Sequence, residues 1–578
     1  MPPLGRVSSA IFAKVNRSRQ WWQLPKPFAM LNLLAFRDDL RRLNLYEGAA
    51  LPKYRTYDGS MQDPHNPTMG MVGTRFGRNA PPGTTLPEPM PRFMEPSPRE
   101  VSRRLLLRDV FKPATSLNLL AACWIQFENH DWLGHGPNNP SEFFEVPLSD
   151  DDDWPERPMR VRRTSPDRTH MNGGPPTYIN TVTHWWDGSQ IYGSSEARCR
   201  KLRTGEDGKM IVTDGRLPEE DAPELKGVDL TGFSDNYWVG LSLLHTLFVR
   251  EHNAICDRLK AAYPSWDDER LFLTARLVNA ALMAKIHTLE WTPGILANPL
   301  IKTAMHGNWY GVLPRWAKRF RIDALDDFFG IVGGHQAHHV ASYAITEEFV
   351  SVYRLHPLIP DEYEIRDHRN GQVIGTLDFN AIQGAGTRRH VDECGMTNLL
   401  YSFGTANPGA ITLHNHPRSL SNHVRVTGER IDIGTVDILR DRERGVRRYN
   451  DFRERLRKPR VERFDQLTSN PEWAKEIREV YEGDIDRVDL QVGLLAEPLP
   501  PGFGFSDTAF RIFILMASRR LKSDRFFTDD YSADVYTPEG LEWVERTTMA
   551  GVLRRHHPAL APALDGVSNA FAPWRRPA

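Results

Sequence analysis

The chain has 578 residues, 40% apolar and 25% charged, the composition of a soluble globular protein with enough length for one large catalytic body. It carries 73 basic and 74 acidic residues, a net charge of −1, so no basic excess exists to neutralise phosphates and no nucleic-acid partner is expected. Four scattered cysteines, Cys123, Cys199, Cys256 and Cys394, form no CxxC pair, suggest neither a zinc site nor a disulfide framework, and suit a reducing, cytoplasmic setting.

The basic N-terminus lacks an apolar run of secretory length, and no stretch further on is long enough to span a membrane. Residues 20–45 gather Trp21, Trp22, Phe28, Leu31 and Phe36 beside arginines, which suits a helix packed on the body or a peripheral segment on a membrane surface. The "SPRE" at 97–100 has the form of a helix capping box, with Pro98 in the first turn. Helical spacing of apolar residues then predicts helices over 116–132, 238–262, 268–290, 389–403 and 508–522. Long irregular segments lie between them, 58–97 and 134–180, the second carrying an acidic run and then a basic one. "QVIGTLDF" at 372–379 is the best strand, set in a short hairpin. The expectation is a mainly α protein whose residues 1–578 form one body, without repeats or a flexible linker.

Several groupings carry possible chemistry. In "WIQFENHDW" (124–132), Gln126 and His130 are four apart and share a helix face, a base beside an amide, while Asp131 points elsewhere. In "TVTHWWDGSQIYGSS" (181–195), Thr183, Trp185, Asp187 and Ser189 alternate, so an extended segment turns them to one side, as hard oxygen ligands or as an ordinary polar loop. One carboxylate is thin for a divalent ion, and Asp131 is available as a second. In "VYRLHP" (352–357), Tyr353 precedes His356 by almost one helical turn, placing a redox-capable phenol beside a possible haem ligand. In "GGHQAHH", His335 and His339 have half a zinc spacing but lack the HExxH glutamate, so they are read as structural.

Taken in order, Gln-x-x-x-His-Asp, Thr-x-Trp-x-Asp-x-Ser with "IYGSS", "HTLFVREHN" at 245–253 and Tyr-x-x-His-Pro resemble the peroxidase–cyclooxygenase superfamily from about residue 20 to near the C-terminus. "AKIHTLEWTP" at 284–293, "VYRLHPLIP" and "ASRRLKSDRFF" at 517–527 bring the likeness closest to the fatty-acid α-dioxygenases. That resemblance implies a helical haem-peroxidase body binding haem b, with His356 as proximal iron ligand, His130 on the distal side and Gln126 assisting it. It implies a structural calcium held by Asp131, Thr183, Trp185, Asp187 and Ser189, bracing the distal helix. It implies peroxide as activator and Tyr353 as the radical residue, which removes hydrogen from the α-carbon of a fatty acid so that dioxygen adds there and a 2-hydroperoxy acid forms. His287, Thr292 and Arg520 correspond to the family's carboxylate-binding residues, with Arg519 and Arg525 near enough to exchange with Arg520. On residue grounds alone, "SRRLKSDR" also suits a solvated helix face.

The departures are informative. Secreted haloperoxidases carry residues for covalent haem attachment where this chain has Ser234, Tyr237 and Trp238, so covalent haem and halide oxidation are not expected. Asn415, in "ANPGAITLHNHPRSL", is a candidate hydrogen-bond partner of the proximal imidazole. Two other enzymatic readings stay open, oxygenation at an internal position of unsaturated fatty acids, as in linoleate diol synthases, and peroxidation of small reducing substrates. A non-catalytic membrane-surface binder of lipid or haem is the reading from a different class.

Overall fold

A computed structural model describes residues 23–30, 50–170, 174–312, 329–339, 341–425 and 428–575. Most of the surface segment expected at 20–45 lies outside these; within it, Phe28 and Met30 are exposed. Among the described residues no helix is long and apolar enough to cross a membrane.

The architecture is mainly helical, with three two-stranded antiparallel sheets among the described residues. Helix α1, Leu119–Trp132, contains neither glycine nor proline and is buried nearly all round, polar Glu128, His130 and Asp131 included, as suits a helix enclosed by others. Strands β1, Phe143–Val146, and β2, Met159–Arg162, form a hairpin inside the long segment that periodicity left irregular. A short helix α2, Ser189–Tyr192, packs on α1. Helix α3, Val239–Ala262, crosses α1 on another side and packs on α4, Asp268–Ile286, whose first turn is capped by the Asp267 carboxylate accepting from the Arg270 N–H. Helix α5, Glu347–Val352, capped by Thr346, leads into the Tyr353–His356 stretch. Strands β3, Glu362–Arg366, and β4, Val373–Asp378, form the hairpin expected near 372–379. Helix α6, Ile433–Glu443, and helix α7, Asp507–Ser523, complete the frame. One large apolar cluster runs from Met69 to Trp574, and a smaller one, around Phe144, Trp154 and Met159, lies beneath β1 and β2.

Several boundaries differ from expectation for identifiable reasons. The helix expected over 389–403 is two helices, Gly386–Cys394 and Met396–Thr405, divided at Gly395, whose φ of +78° an α-helix does not admit. Ser97 does not cap; its hydroxyl donates to the Pro147 carbonyl at 2.6 Å. The helix expected over 268–290 leaves α geometry at His287 and continues as a π-turn, His287–Trp291. The Tyr353–His356 pair is not one turn of helix either. α5 ends at Val352 and a separate 3-10 turn begins at His356, as the Pro357 ring disfavours α backbone before it.

Candidate active site

A cavity of about 1590 Å³ opens between the end of α1, the chain after α5, and α6. His130 lies on one wall and His356 on another, so the two imidazoles singled out in the sequence face a common space. His130 is buried with its Nδ1 unpartnered, and burial pushes its imidazole down to about 3, leaving it neutral at ordinary pH. Phe233 meets its ring edge-on at 4.8 Å. Gln126, one turn earlier, is fixed at both ends of its amide. The Trp238 indole donates to its Oε1 at 2.8 Å, and its Nε2 donates to the Asn236 carbonyl at 3.2 Å. Tyr237 is bonded to Asp229 and Ser234 to Glu220, so both belong to local networks.

His356 presents a partly exposed ring to the cavity, with its Nδ1 held 2.7 Å from the Asp437 carboxylate on α6. Burial works to raise the Asp437 carboxyl, but the His356 imidazole and Arg354 hold it below its ordinary value. This corrects the expectation for Asn415. Its side chain bonds the Lys112 backbone and the Ala410 carbonyl, and does not reach His356. Asp437 was missed because it lies 81 residues along in a helix whose pattern reads as a buried polar face.

On the far side of α1, Asp131 meets the 183–189 loop. Its Oδ1 accepts from the Ser189 N–H and hydroxyl at 2.6 and 2.9 Å. Asp131 Oδ2, both Asp187 carboxylate oxygens and the Thr183 hydroxyl are buried without partners. Burial and the charge of Asp187 push the Asp131 carboxyl up to about 7. The Arg276 and Arg520 guanidinium groups stand off at 3.6 Å from Asp187 and 3.7 Å from Asp131, and the Trp185 carbonyl accepts from Arg520 Nη2 at 2.7 Å.

A third cluster surrounds Tyr353. The Tyr353 side chain is buried, its hydroxyl is unpartnered, and desolvation raises its phenol well above 10, so it keeps its proton. Phe349 and Phe513 pack its ring, and Trp132 meets it edge-on at 5.6 Å. Trp132 also meets His287 edge-on at 5.5 Å and lies under the Arg520 guanidinium at 4.3 Å. The Trp124 indole donates to His287 Nδ1 at 3.2 Å, which fixes the neutral tautomer with its proton on Nε2; that atom is buried and unpartnered. In the π-turn the Thr292 N–H donates to the His287 carbonyl, and the Trp291 ring stacks on His287 at 4.7 Å. Arg520 is fully buried and donates to the His184 and Trp185 carbonyls, keeping its Nη1 free. Arg519 instead binds loop carbonyls around Ala341, and Arg525 pairs with Asp530 and the Pro52 carbonyl. "SRRLKSDR" is thus no solvated face, because Arg520, Lys522 and Arg525 are all buried. An apolar crevice lined by Trp291, Leu355, Phe505, Ala509 and Phe513 adjoins Tyr353.

In the GGHQAHH stretch, His335 pairs with Asp529 and His338 with Asp63. Among the described residues no group of three or more His, Cys, Asp or Glu side chains is placed to hold a metal ion.

Residues 54–566 match the model of the animal haem peroxidase family. Alpha-dioxygenase 2 of Arabidopsis thaliana is 40% identical over 90% of this chain and 84% of its own length. The alpha-dioxygenase PIOX of Oryza sativa subsp. japonica is 36% identical over 97% of this chain and 94% of its own. The crystal structure of Oryza sativa fatty acid alpha-dioxygenase superposes with a TM-score of 0.84 at 35% identity, covering 99% of this chain and 97% of that one. Sequence, fold and the paired histidines therefore agree that the chain belongs to the animal haem peroxidase family, in its alpha-dioxygenase branch.

Proposed function

We propose that the protein oxygenates fatty acids at the α-carbon through Tyr353, giving 2-hydroperoxy acids. The observation that carries this is the set of buried, unpartnered polar groups around Trp132, namely the Tyr353 hydroxyl, His287 Nε2 and Arg520 Nη1. Desolvated donors of this kind are costly unless a ligand meets them, and a carboxylate does so while neutralising Arg520. His287 and Arg520 then hold the carboxylate with Thr292, and the acyl chain passes Phe505 and Phe513, which must part to admit it because the crevice they line is narrower than a water molecule. The carbon presented to Tyr353 is then the one next to the carboxylate.

The family implies haem, and the cavity fits it. It has room for a macrocycle, an imidazole with one nitrogen already engaged by Asp437, and arginines at its mouth for acidic side groups. Bound there, haem b would supply the one-electron oxidising power conferred on it by peroxide. His130, neutral and held near Gln126, accepts and returns the peroxide proton. Tyr353, once oxidised, takes a hydrogen atom from the α-carbon and regains its O–H. The carbon radical adds dioxygen, and the resulting peroxyl recovers a hydrogen atom from Tyr353, so the sum is substrate plus dioxygen giving hydroperoxide.

Calcium fits the loop around Asp131. The orphaned oxygens of Asp131, Asp187 and Thr183, with Ser189 and the Trp185 carbonyl beside them, form a hard-oxygen set, and a dication would relieve the repulsion of the two buried carboxylates. Its role would be to brace the end of α1 that carries His130. Asp187→Asn is expected to lose bound calcium in equilibrium dialysis and to lower the thermal midpoint of the holoprotein.

Tyr353→Phe tests the whole reading. It should keep the haem Soret band and peroxide reduction, yet lose fatty-acid-dependent oxygen uptake by a factor of about 100 or more. Unimpaired uptake would overturn it. Mass spectrometry of the palmitate product distinguishes α-oxygenation from attack deeper in the chain, and an activity confined to small reductants would point to a plain peroxidase.

A further inference from the structure

Five buried indoles of this protein donate to well-defined acceptors. Trp124 donates to His287, Trp185 to the Met69 carbonyl, Trp238 to Gln126, Trp291 to the Ala121 carbonyl, and Trp574 to the Ala570 carbonyl. Among the described residues, Trp132 is the tryptophan whose buried N–H has no acceptor. It also touches Tyr353, His287 and Arg520 at once. Its ring meets Tyr353, His287 and Trp186 edge-on and stacks beneath the Arg520 guanidinium. Its backbone is fixed, since the Trp132 carbonyl accepts from the Asn180 amide at 2.7 Å where α1 ends.

We propose that Trp132 is a further substrate-binding residue, its indole N–H donating to the fatty-acid carboxylate alongside His287, Thr292 and Arg520. The inference rests on reading those three residues as the carboxylate anchor. A carboxylate has two oxygens and about four lone-pair sites. His287 Nε2–H, the Thr292 hydroxyl, Arg520 Nη1 and Trp132 Nε1–H then give each site one donor, with no water needed. An indole is a donor only, so it cannot serve a ligand that offers just donors, and it favours an acid over the corresponding alcohol. The same ring sets the geometry of the reaction. Because one face carries Arg520 and one edge carries Tyr353, a carboxylate held at the indole nitrogen keeps the neighbouring carbon close to the phenol.

The test uses haem-loaded Tyr353→Phe protein, so that binding is read without turnover. Dissociation constants are measured for palmitate and for hexadecan-1-ol, which shares the chain but not the carboxylate. Adding Trp132→Phe, which keeps an aromatic ring and removes the N–H, should cut the preference for palmitate over the alcohol by about tenfold. Trp132→His, which keeps a ring N–H, should restore part of it. A change in packing alone weakens both ligands equally and leaves the ratio unchanged; that outcome would overturn the proposal. Should the phenylalanine variant fail to take up haem, 3-benzothienylalanine at position 132, with sulfur in place of N–H, gives the same ratio in an unaltered shape. If Tyr353→Phe itself does not prefer palmitate, the anchor reading falls and this inference with it; if it does and the ratio survives loss of the N–H, the inference alone falls.

Discussion

At the scale of single residues, the site is defined by polar atoms with and without partners. His356 is oriented by Asp437, and that hydrogen bond fixes which ring nitrogen faces the cavity. Asp437→Asn retains a hydrogen-bonding group but removes the charge, and Asp437→Leu removes both. The expected order of haem retention is wild type, then Asn, then Leu, with activity of the Leu variant lower by about 10- to 100-fold. Haem content after gel filtration and the position of the Soret band check it; equal retention by all three would remove Asp437 from the proximal arrangement. Sequence reading found His130, Gln126, Tyr353 and His356 by their spacing, but nothing local marked Asp437, because its partner is distant in the chain.

At the scale of elements, the π-turn at His287–Trp291 matters most. On a regular α-helix, residues five apart are turned well away from each other, at 100° per residue. The π-turn, closed by the Thr292 N–H donating to the His287 carbonyl, lessens that divergence, and the Trp291 ring stacks on His287 at 4.7 Å. Thr292→Val keeps the shape of the side chain and removes its hydroxyl. Palmitate affinity is expected to fall by about tenfold or more while haem uptake persists, since α3 and the His130 region of α1 are untouched. Retained affinity would remove the Thr292 hydroxyl from the anchor. Periodicity predicted this helix, yet apolar spacing does not distinguish an α turn from a π turn, and the chosen boundary missed the departure. The chain after α5 offers the same lesson, since Pro357 was visible in the sequence but its effect on the Tyr353–His356 turn was not taken into account.

At the scale of the whole molecule, burial of neutral imidazoles links stability to pH. Burial pushes His130, His184, His287 and His416 down to about 3, and His135, His252 and His557 to about 4. Their unfolded value is 6.5, so below it the unfolded chain binds more protons and folding stability falls as pH falls, down to about 3. Asp131 and Glu290, raised by burial to about 7, act in the opposite sense, as do Glu128, Asp229, Asp235, Asp432, Asp441 and Asp524, so the histidine effect is read between pH 7 and pH 5, where the unfolded imidazoles take up their protons. Each net proton contributes about 1.4 kcal/mol per pH unit. The urea midpoint is therefore expected to drop clearly between pH 7 and pH 5; a flat profile would mean that these imidazoles are not held neutral in the folded state.

The sequence by itself determined the class of fold, the order of the chemical groups and the family, because helical periodicity and short spacings are local properties of the chain. It also supplied the residue types of the proposed anchor and of the Asp131 loop. Tertiary structure decided which arginine of Arg519, Arg520 and Arg525 stands beside His287, that Asp437 and not Asn415 holds His356, and that Trp132 keeps an indole N–H free at the centre of the site. Those facts depend on which buried polar atoms find partners across long chain separations. Such pairing is settled only when the helices pack.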